Sequence, residues 1–336
     1  MQPAADTPVE DFESLFQGQP QDIERRLLAL RPKAACHPDI TLAPRIEARL
    51  ALAQAMQGRH EDAHRTLDLA ERLPGADQPS ATMSLLLERG RLKQQQKRPR
   101  EAYPLFVKAW NFARSQALDG PAVDAAHMVA ITSIEPPDRV HWNEIALQLA
   151  QASPAPSARA WISVLHNNLA QAYIANSQFT AAHQTFTICR QLALTENNSL
   201  VERGARWGIA RALRSLNQTA EALAMQQQLL SEYNQLEETN ALPLELIRMG
   251  RGLVHEELAH LPITDAPEHA GHALEDLSIC VWKMDDDPAI RDRWDKLAEL
   301  AGKSPGFVFT NHIVFGPDSG PLQELIPLQP GEEAGP

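Results

Sequence analysis

Histidines concentrate near residue 260 and are the clearest candidates for metal chemistry in this sequence. His255, Glu256 and His260 are similar to the helical motif of zinc peptidases, but that motif places its two histidines four residues apart on one helix face. Here the spacing is five, which separates the two side chains by about 140° around a helix. His269 and His272, at positions i and i+3, are candidates for a shared metal ion. We nevertheless predict no resident metal, because histidines beside a surface turn are more often solvated than ligating.

No other residue pattern predicts catalysis. The three cysteines, Cys36, Cys189 and Cys280, are far apart and lack Cys-x-x-Cys spacing, so neither a disulfide framework nor a thiolate zinc site is expected. No glycine-rich phosphate loop and no nucleophile–base pattern stands out. We therefore predict a protein that is not an enzyme and that has no cofactor.

The elements that must position any site follow from a regular spacing of small residues. These repeat positions succeed one another at intervals of 39, 40, 40 and 40 residues: Ala51, Gly90, Ala130, Ala170 and Ala210. Twelve residues after each of them lies a second position with the same period. The residue at this second position is small in four of the five repeats. A fixed period of this length is typical of repeat architectures, in which similar helical units stack on their neighbours.

One unit shows what each repeat contains. Leu165, Leu169 and Tyr173 are four residues apart, which gives one apolar stripe on a first helix. After a turn near Ser177, a second stripe follows at i, i+4 and i+7 from Ala182. The pattern predicts two antiparallel helices that cross closely where the small residues lie.

These residues resemble the tetratricopeptide repeat (TPR) family. Its pattern of Leu, Gly or Ala, and Tyr in the first helix and Ala, Phe and Ala in the second is matched best between Trp161 and Leu194. The period of about 40 is similar to the long-helix variants in kinesin light chains and many bacterial regulators. Two positions depart from the family pattern, since Trp142 replaces a small residue and Gln226 an aromatic one. The resemblance implies an all-α, right-handed superhelical solenoid of antiparallel helix pairs.

The domain organisation is expected to follow the repeat. We predict a lead-in or capping helix in residues 1–40, six TPR-like helix pairs in 41–285, a capping helix in 286–303, and a Pro/Gly-rich tail in 304–336. Within the tail, the apolar segment 307–315 is expected to need a partner surface.

The first helices of stacked pairs line the concave face of such a superhelix, where a ligand would bind. Counting from the repeat positions places these side chains on that face: His127, Asn167, Gln171, Trp207, Arg211, Arg214 and Glu256. Asparagine and glutamine can pair with a peptide backbone, whereas arginine can hold a carboxylate or a phosphate. The alternative is that the arginines pair with neighbouring acidic side chains.

Composition narrows the class of partner. A net charge of −12 disfavours nucleic acid and anionic membranes, because phosphate binding requires a basic surface. No segment is apolar enough for a membrane span, and we expect a cytoplasmic protein. We predict a scaffold or adaptor that binds a protein or peptide segment, with a carboxylate or another anionic group as one option. Two alternatives remain: a metal-dependent enzyme or metal-regulated sensor near His269, and a module whose own C-terminal tail occupies its groove.

Overall fold

The computed structural model describes residues 19–281 and 288–303, and side chains within them except those of 279–281 and 288–291. Every regular element in these ranges is a helix, so the predicted all-α helical repeat is confirmed. The described residues divide into two compact units, with the boundary between Leu165 and His166 inside α9 (Ile162–Ala175). No helix in the described ranges is both long and apolar enough to cross a membrane.

The first unit contains eight helical segments and the start of α9. They are α1 (Pro20–Ala35), α2 (Leu42–Met56), α3 (His60–Ala70), α4 (Pro79–Gln95), α5 (Pro99–Ser115), α6 (Asp119–Thr132), α7 (Pro136–Ala152) and α8 (Pro156–Arg159). Helices α2/α3, α4/α5 and α6/α7 are the predicted helix pairs, and the two members of each pack against one another.

The second unit contains most of α9 and six further helices. They are α9 (Ile162–Ala175), α10 (Phe179–Thr195), α11 (Ser199–Ser215), α12 (Thr219–Glu238), α13 (Leu244–Ala259), α14 (Ala266–Val281) and α15 (Pro288–Leu300). From α10 onward, each helix packs against the next one in the chain. Trp294 and Leu297 of α15 are buried in the same apolar core as Ala170 of α9 and Leu229 of α12.

The period of about 40 reappears in the turns that join the two helices of a pair. Gly58, Lys97, Ser177 and Asn217 each follow the first helix of a pair and have positive φ, between 55° and 76°. The next N–H donates to the carbonyl oxygen five residues earlier, at 2.8–3.0 Å, which is the Schellman motif that ends many helices. The third pair differs, since α6 ends at an extended Ser133 before Pro136.

Close helix contacts explain the small residues. Ala51, Ala130, Ala170 and Ala210 are at most 1% exposed. An aromatic ring of one helix also lies directly on a glycine of the next: a Cβ added at Gly208 would fall within 2.7 Å of three ring carbons of Phe186. Tyr233 packs on Gly250 in the same way. These two glycines are therefore places where the ring of one helix reaches the backbone of its neighbour.

Candidate functional site

The residues selected from the sequence lie mainly on α9, α11 and α13, the first helices of the pairs in the second unit. On α11, Trp207, Arg211 and Arg214 recur at i, i+4 and i+7, so their side chains share one face of the helix. The structure shows that this face is directed at α13 rather than fully at solvent, because Trp207 donates its indole N–H to the carbonyl oxygen of Leu253 at 3.0 Å.

Trp207 and Arg211 are more buried than a groove-lining role requires. Trp207 is 6% exposed and Arg211 is 3% exposed, and the Arg211 guanidinium lies over the indole ring at 5.4 Å from its centroid. A cation in this position gains from the electron-rich ring face. The sequence pattern correctly grouped these two residues, but it placed them on an open surface that is in fact closed by α13.

A carboxylate that the sequence analysis did not select joins the two arginines of α11. Glu257 Oε2 accepts from Arg214 Nε at 2.7 Å, and Glu257 Oε1 lies 3.4 Å from Arg211 Nε. Burial raises the pKa of Glu257, but the charges of Arg211 and Arg214 outweigh burial, so its pKa is below the usual value. The open alternative from the sequence, that these arginines pair with acidic neighbours, is what the structure shows for both.

Glu256 has a different position from the one predicted. It is 2% exposed and accepts from Arg293 of α15, with Arg293 Nε at 2.6 Å and Nη2 on the second oxygen. One residue along a helix corresponds to a rotation of about 100°. The interval from Ala222 to Ala270 is 48 residues rather than 40, which shifted the count by one residue, so Glu257 rather than Glu256 faces α11.

Asn167 and Gln171 on α9 remain the accessible part of the predicted face. Both are half-buried and one turn apart. The Asn167 amide nitrogen donates to Asn168 Oδ1 at 3.3 Å. Among the described residues, Gln171 Oε1 has no hydrogen-bond partner although it is buried. A donor from outside the chain would reach this buried acceptor only after the Gln171 side chain rotated.

His127 belongs to α6 in the first unit, so it is described there by itself. It is 7% exposed, and its ring centroid is 5.3 Å from that of Trp161. Burial and the charge of Arg91 lower its pKa to about 4, although Asp124 acts in the opposite direction. These contacts are those of a neutral histidine packed in a helix interface, and His127 does not line an open face.

The histidines that the sequence singled out meet a third one. His269 and His272 on α14 both lie beside His255 of α13, with ring centroids 5.0 Å from the His255 ring in each case. His260, at the end of α13, is directed elsewhere and is exposed. The signal in the sequence was the His-rich stretch, which includes His255, but only the pairing of α13 with α14 shows that His255 rather than His260 meets His269 and His272.

Comparisons with known proteins bear on the fold. Neither a protein-family model nor a curated protein matches the sequence. In structure, the chain is similar to a signal-transduction ATPase with a tetratricopeptide repeat sensor from Pyrococcus horikoshii, with a TM-score of 0.58 and 12% identity over 88% of this chain and 43% of that one. This chain thus spans less than half the length of that protein.

Two further solved structures are similar at lower scores. TPR-like repeats of a kinesin light chain from Podosopora anserina give a TM-score of 0.49 and 16% identity over 60% of this chain and 100% of that one. The apo form of the quorum sensor NprR from B. thuringiensis gives a TM-score of 0.36 and 14% identity over 84% of this chain and 88% of that one. At these scores the two structures add nothing to the fold that the helix pairs of this chain already show.

Proposed function

We propose that this chain, a TPR-like repeat protein, is a non-enzymatic scaffold or sensor that binds a peptide or protein segment on α9 and α11 of the second unit. The observation that carries the proposal is the shared carboxylate, since one glutamate, Glu257, serves the two arginines of α11. This arrangement has a net positive charge, which favours an anionic group on the ligand.

Arg214 is the residue through which that charge can reach a ligand. Its side chain is 29% exposed, whereas those of Arg211 and Glu257 are 4% and 5% exposed. Its Nε and Nη2 are engaged by Glu257, which fixes the direction of the guanidinium plane. A guanidinium held in this way is pre-organised to bind a carboxylate or phosphate at its outer edge.

Asn167 and Gln171 supply the second part of the proposed contact. Side-chain amides both donate and accept hydrogen bonds, so they can pair with the backbone of an extended segment. Rotation of the half-buried Gln171 side chain would bring its Oε1, which is buried and without a partner in the described ranges, to the surface as an acceptor for a peptide N–H. The repeat sensor of the Pyrococcus protein offers a fold-level precedent for a sensing role, and nothing about its ligand is transferred here.

The alternative of a self-regulated module depends on the segment 307–315, which lies outside the described residues. Deletion of residues 304–336 tests it in the binding assay described next. An increase in peptide affinity after deletion would support competition by the tail, whereas unchanged affinity would exclude it.

The proposal is tested with peptides selected from a random display library by the full-length protein and then synthesised with either a free carboxylate or an amide at the C-terminus. We expect Arg214→Gln to weaken the anionic peptides at least tenfold. Arg190→Gln is the matched control, because Arg190 is also an exposed arginine paired with a glutamate, but it lies on α10. Equal losses in both variants, or no loss in Arg214→Gln, would overturn the proposal.

A further inference from the structure

Three imidazole rings meet where α13 packs against α14, at a distance from the residues proposed to bind peptide. His255 is 7% exposed, and its Nδ1 lies 2.9 Å from Nδ1 of His269. His272 is one turn further along α14, with its ring at the same centroid distance from His255 as that of His269. The cluster therefore consists of one imidazole ring from α13 and two from α14.

The acidic neighbours of the two α14 histidines lie on the Nε2 side of each ring, whereas His269 Nδ1 is hydrogen-bonded to His255 Nδ1. His269 Nε2 is 3.5 Å from Asp265 Oδ2, and His272 Nε2 is 3.7 Å from Glu268 Oε1. In metalloproteins, the ring nitrogen that does not bind the metal usually donates to a carboxylate, which fixes the tautomer and the ring orientation. Asp265 and Glu268 would take that role after each moved several tenths of an ångström closer to its histidine.

The helix interface around His255 and His269 disfavours a positive charge on either ring. Burial, together with the neighbouring His269, His272 and Arg251, lowers the pKa of His255 to about 3. Burial also lowers the pKa of His269. The positive charge of Arg251 is engaged by Asp276 and Glu237.

We propose that His255, His269 and His272 bind one divalent transition-metal ion of the Zn²⁺ class through their Nδ1 atoms, with water completing the coordination. Nitrogen ligands with borderline character are those that Zn²⁺, Co²⁺ and Ni²⁺ prefer. The ion would connect α13 to α14, and thus stabilise the helix that also carries Glu256 and Glu257.

The geometry defines how far the side chains must move. Two nitrogen ligands at about 2.05 Å from a tetrahedral ion are about 3.3 Å apart, so the His255–His269 distance must widen by about 0.4 Å. As they stand, no three candidate ligands in the described ranges surround one point. Binding therefore requires the His272 side chain, which is 49% exposed, to turn inward.

The test uses the full-length protein after treatment with a chelator. Zn²⁺ is titrated by calorimetry in the presence of a competing chelator, and Co²⁺ is titrated by visible absorption. We expect one ion per chain, a nitrogen-liganded Co²⁺ spectrum and a higher melting temperature with Zn²⁺. His269→Gln and His272→Gln should each weaken Zn²⁺ binding at least tenfold, and Asp265→Asn should weaken it less.

The controls separate the cluster from other histidines and from folding defects. His141→Gln removes an exposed histidine of α7 in the first unit and should leave Zn²⁺ affinity unchanged. His272→Gln alters an exposed side chain, so it should fold even if a change at buried His255 does not. Failure of the wild type to bind Zn²⁺, or unchanged affinity in both α14 variants, would overturn the proposal without affecting the peptide assay.

Discussion

Gly208→Ala is expected to destabilise the second unit although alanine is the better helix former. The new Cβ would lie within 2.7 Å of Cδ1, Cε1 and Cζ of Phe186, whereas carbon atoms in ordinary contact are about 3.5–4.0 Å apart. The Phe186 side chain is fully buried, so it has little room to move. Overpacking of this kind costs roughly 1–3 kcal/mol, and an overlap of about 1 Å with an aromatic ring belongs at the upper end of that range.

Gly204→Ala is the matched control on the same helix. No atom lies within 4 Å of a Cβ added at Gly204, so only the helix propensity changes. This substitution should stabilise by about 1 kcal/mol. After the same gain is allowed for Gly208→Ala, its net loss is about 2 kcal/mol, and the two variants should differ by about 3 kcal/mol.

Urea titrations followed by circular dichroism measure this difference as a shift of the unfolding midpoint. Phe186→Leu removes the ring that causes the clash, so the double variant Gly208→Ala/Phe186→Leu should lose less stability than the two single losses added together. If Gly208→Ala were as stable as Gly204→Ala, the Phe186 ring of α10 would not pack against Gly208 of α11. The described packing of α10 against α11 would then be wrong.

Three further predictions concern buried polar groups. Gln226 is 1% exposed, and neither polar atom of its amide has a partner in the described ranges. Gln226→Leu should therefore raise the free energy of unfolding by about 1–3 kcal/mol in urea titrations. A lower free energy of unfolding in this variant would show that the amide is satisfied. The pKa of His127 is about 4 in the folded chain and about 6.5 in the unfolded chain. Between these pH values the unfolded state binds more protons than the folded state. The free energy of unfolding should therefore fall by about 2 kcal/mol from pH 7 to pH 5. His127→Gln should remove that part of the pH dependence, and a His127 NMR titration near pH 6.5 would contradict it. Glu257→Gln should cost about 3 kcal/mol because it leaves two arginines without their shared countercharge, whereas the exposed Glu196→Gln should change the urea midpoint little.

The sequence predicted the repeated fold because its signals are local and periodic. The buried small residue Ala170 and the left-handed turn residue Ser177 both belong to a pattern that needs only the chain's own spacing. Phase is equally local, but it slipped by one residue at the longer interval before the sixth pair. There it selected Glu256, although Glu257 is the residue that contacts Arg214.

Burial of the polar face could not be predicted in the same way. Arg211 is a residue type that is usually exposed, and only the position of α13 shows that it is covered. Its partner Glu257 is 46 residues away along the chain, at a spacing outside the repeat period. The contact of His255 with His269 depends on the same information, namely how two neighbouring helices are rotated against each other.

The most direct test of the central claim is to locate a bound peptide by photo-crosslinking. A photoreactive amino acid at Asn167, on the proposed face of α9, should crosslink the selected anionic peptides, and Arg214→Gln should reduce the yield. The same probe at Ile188 of α10, which is 49% exposed, should give little product. Equal crosslinking from Ile188, or none from Asn167 at saturating peptide, would contradict the account.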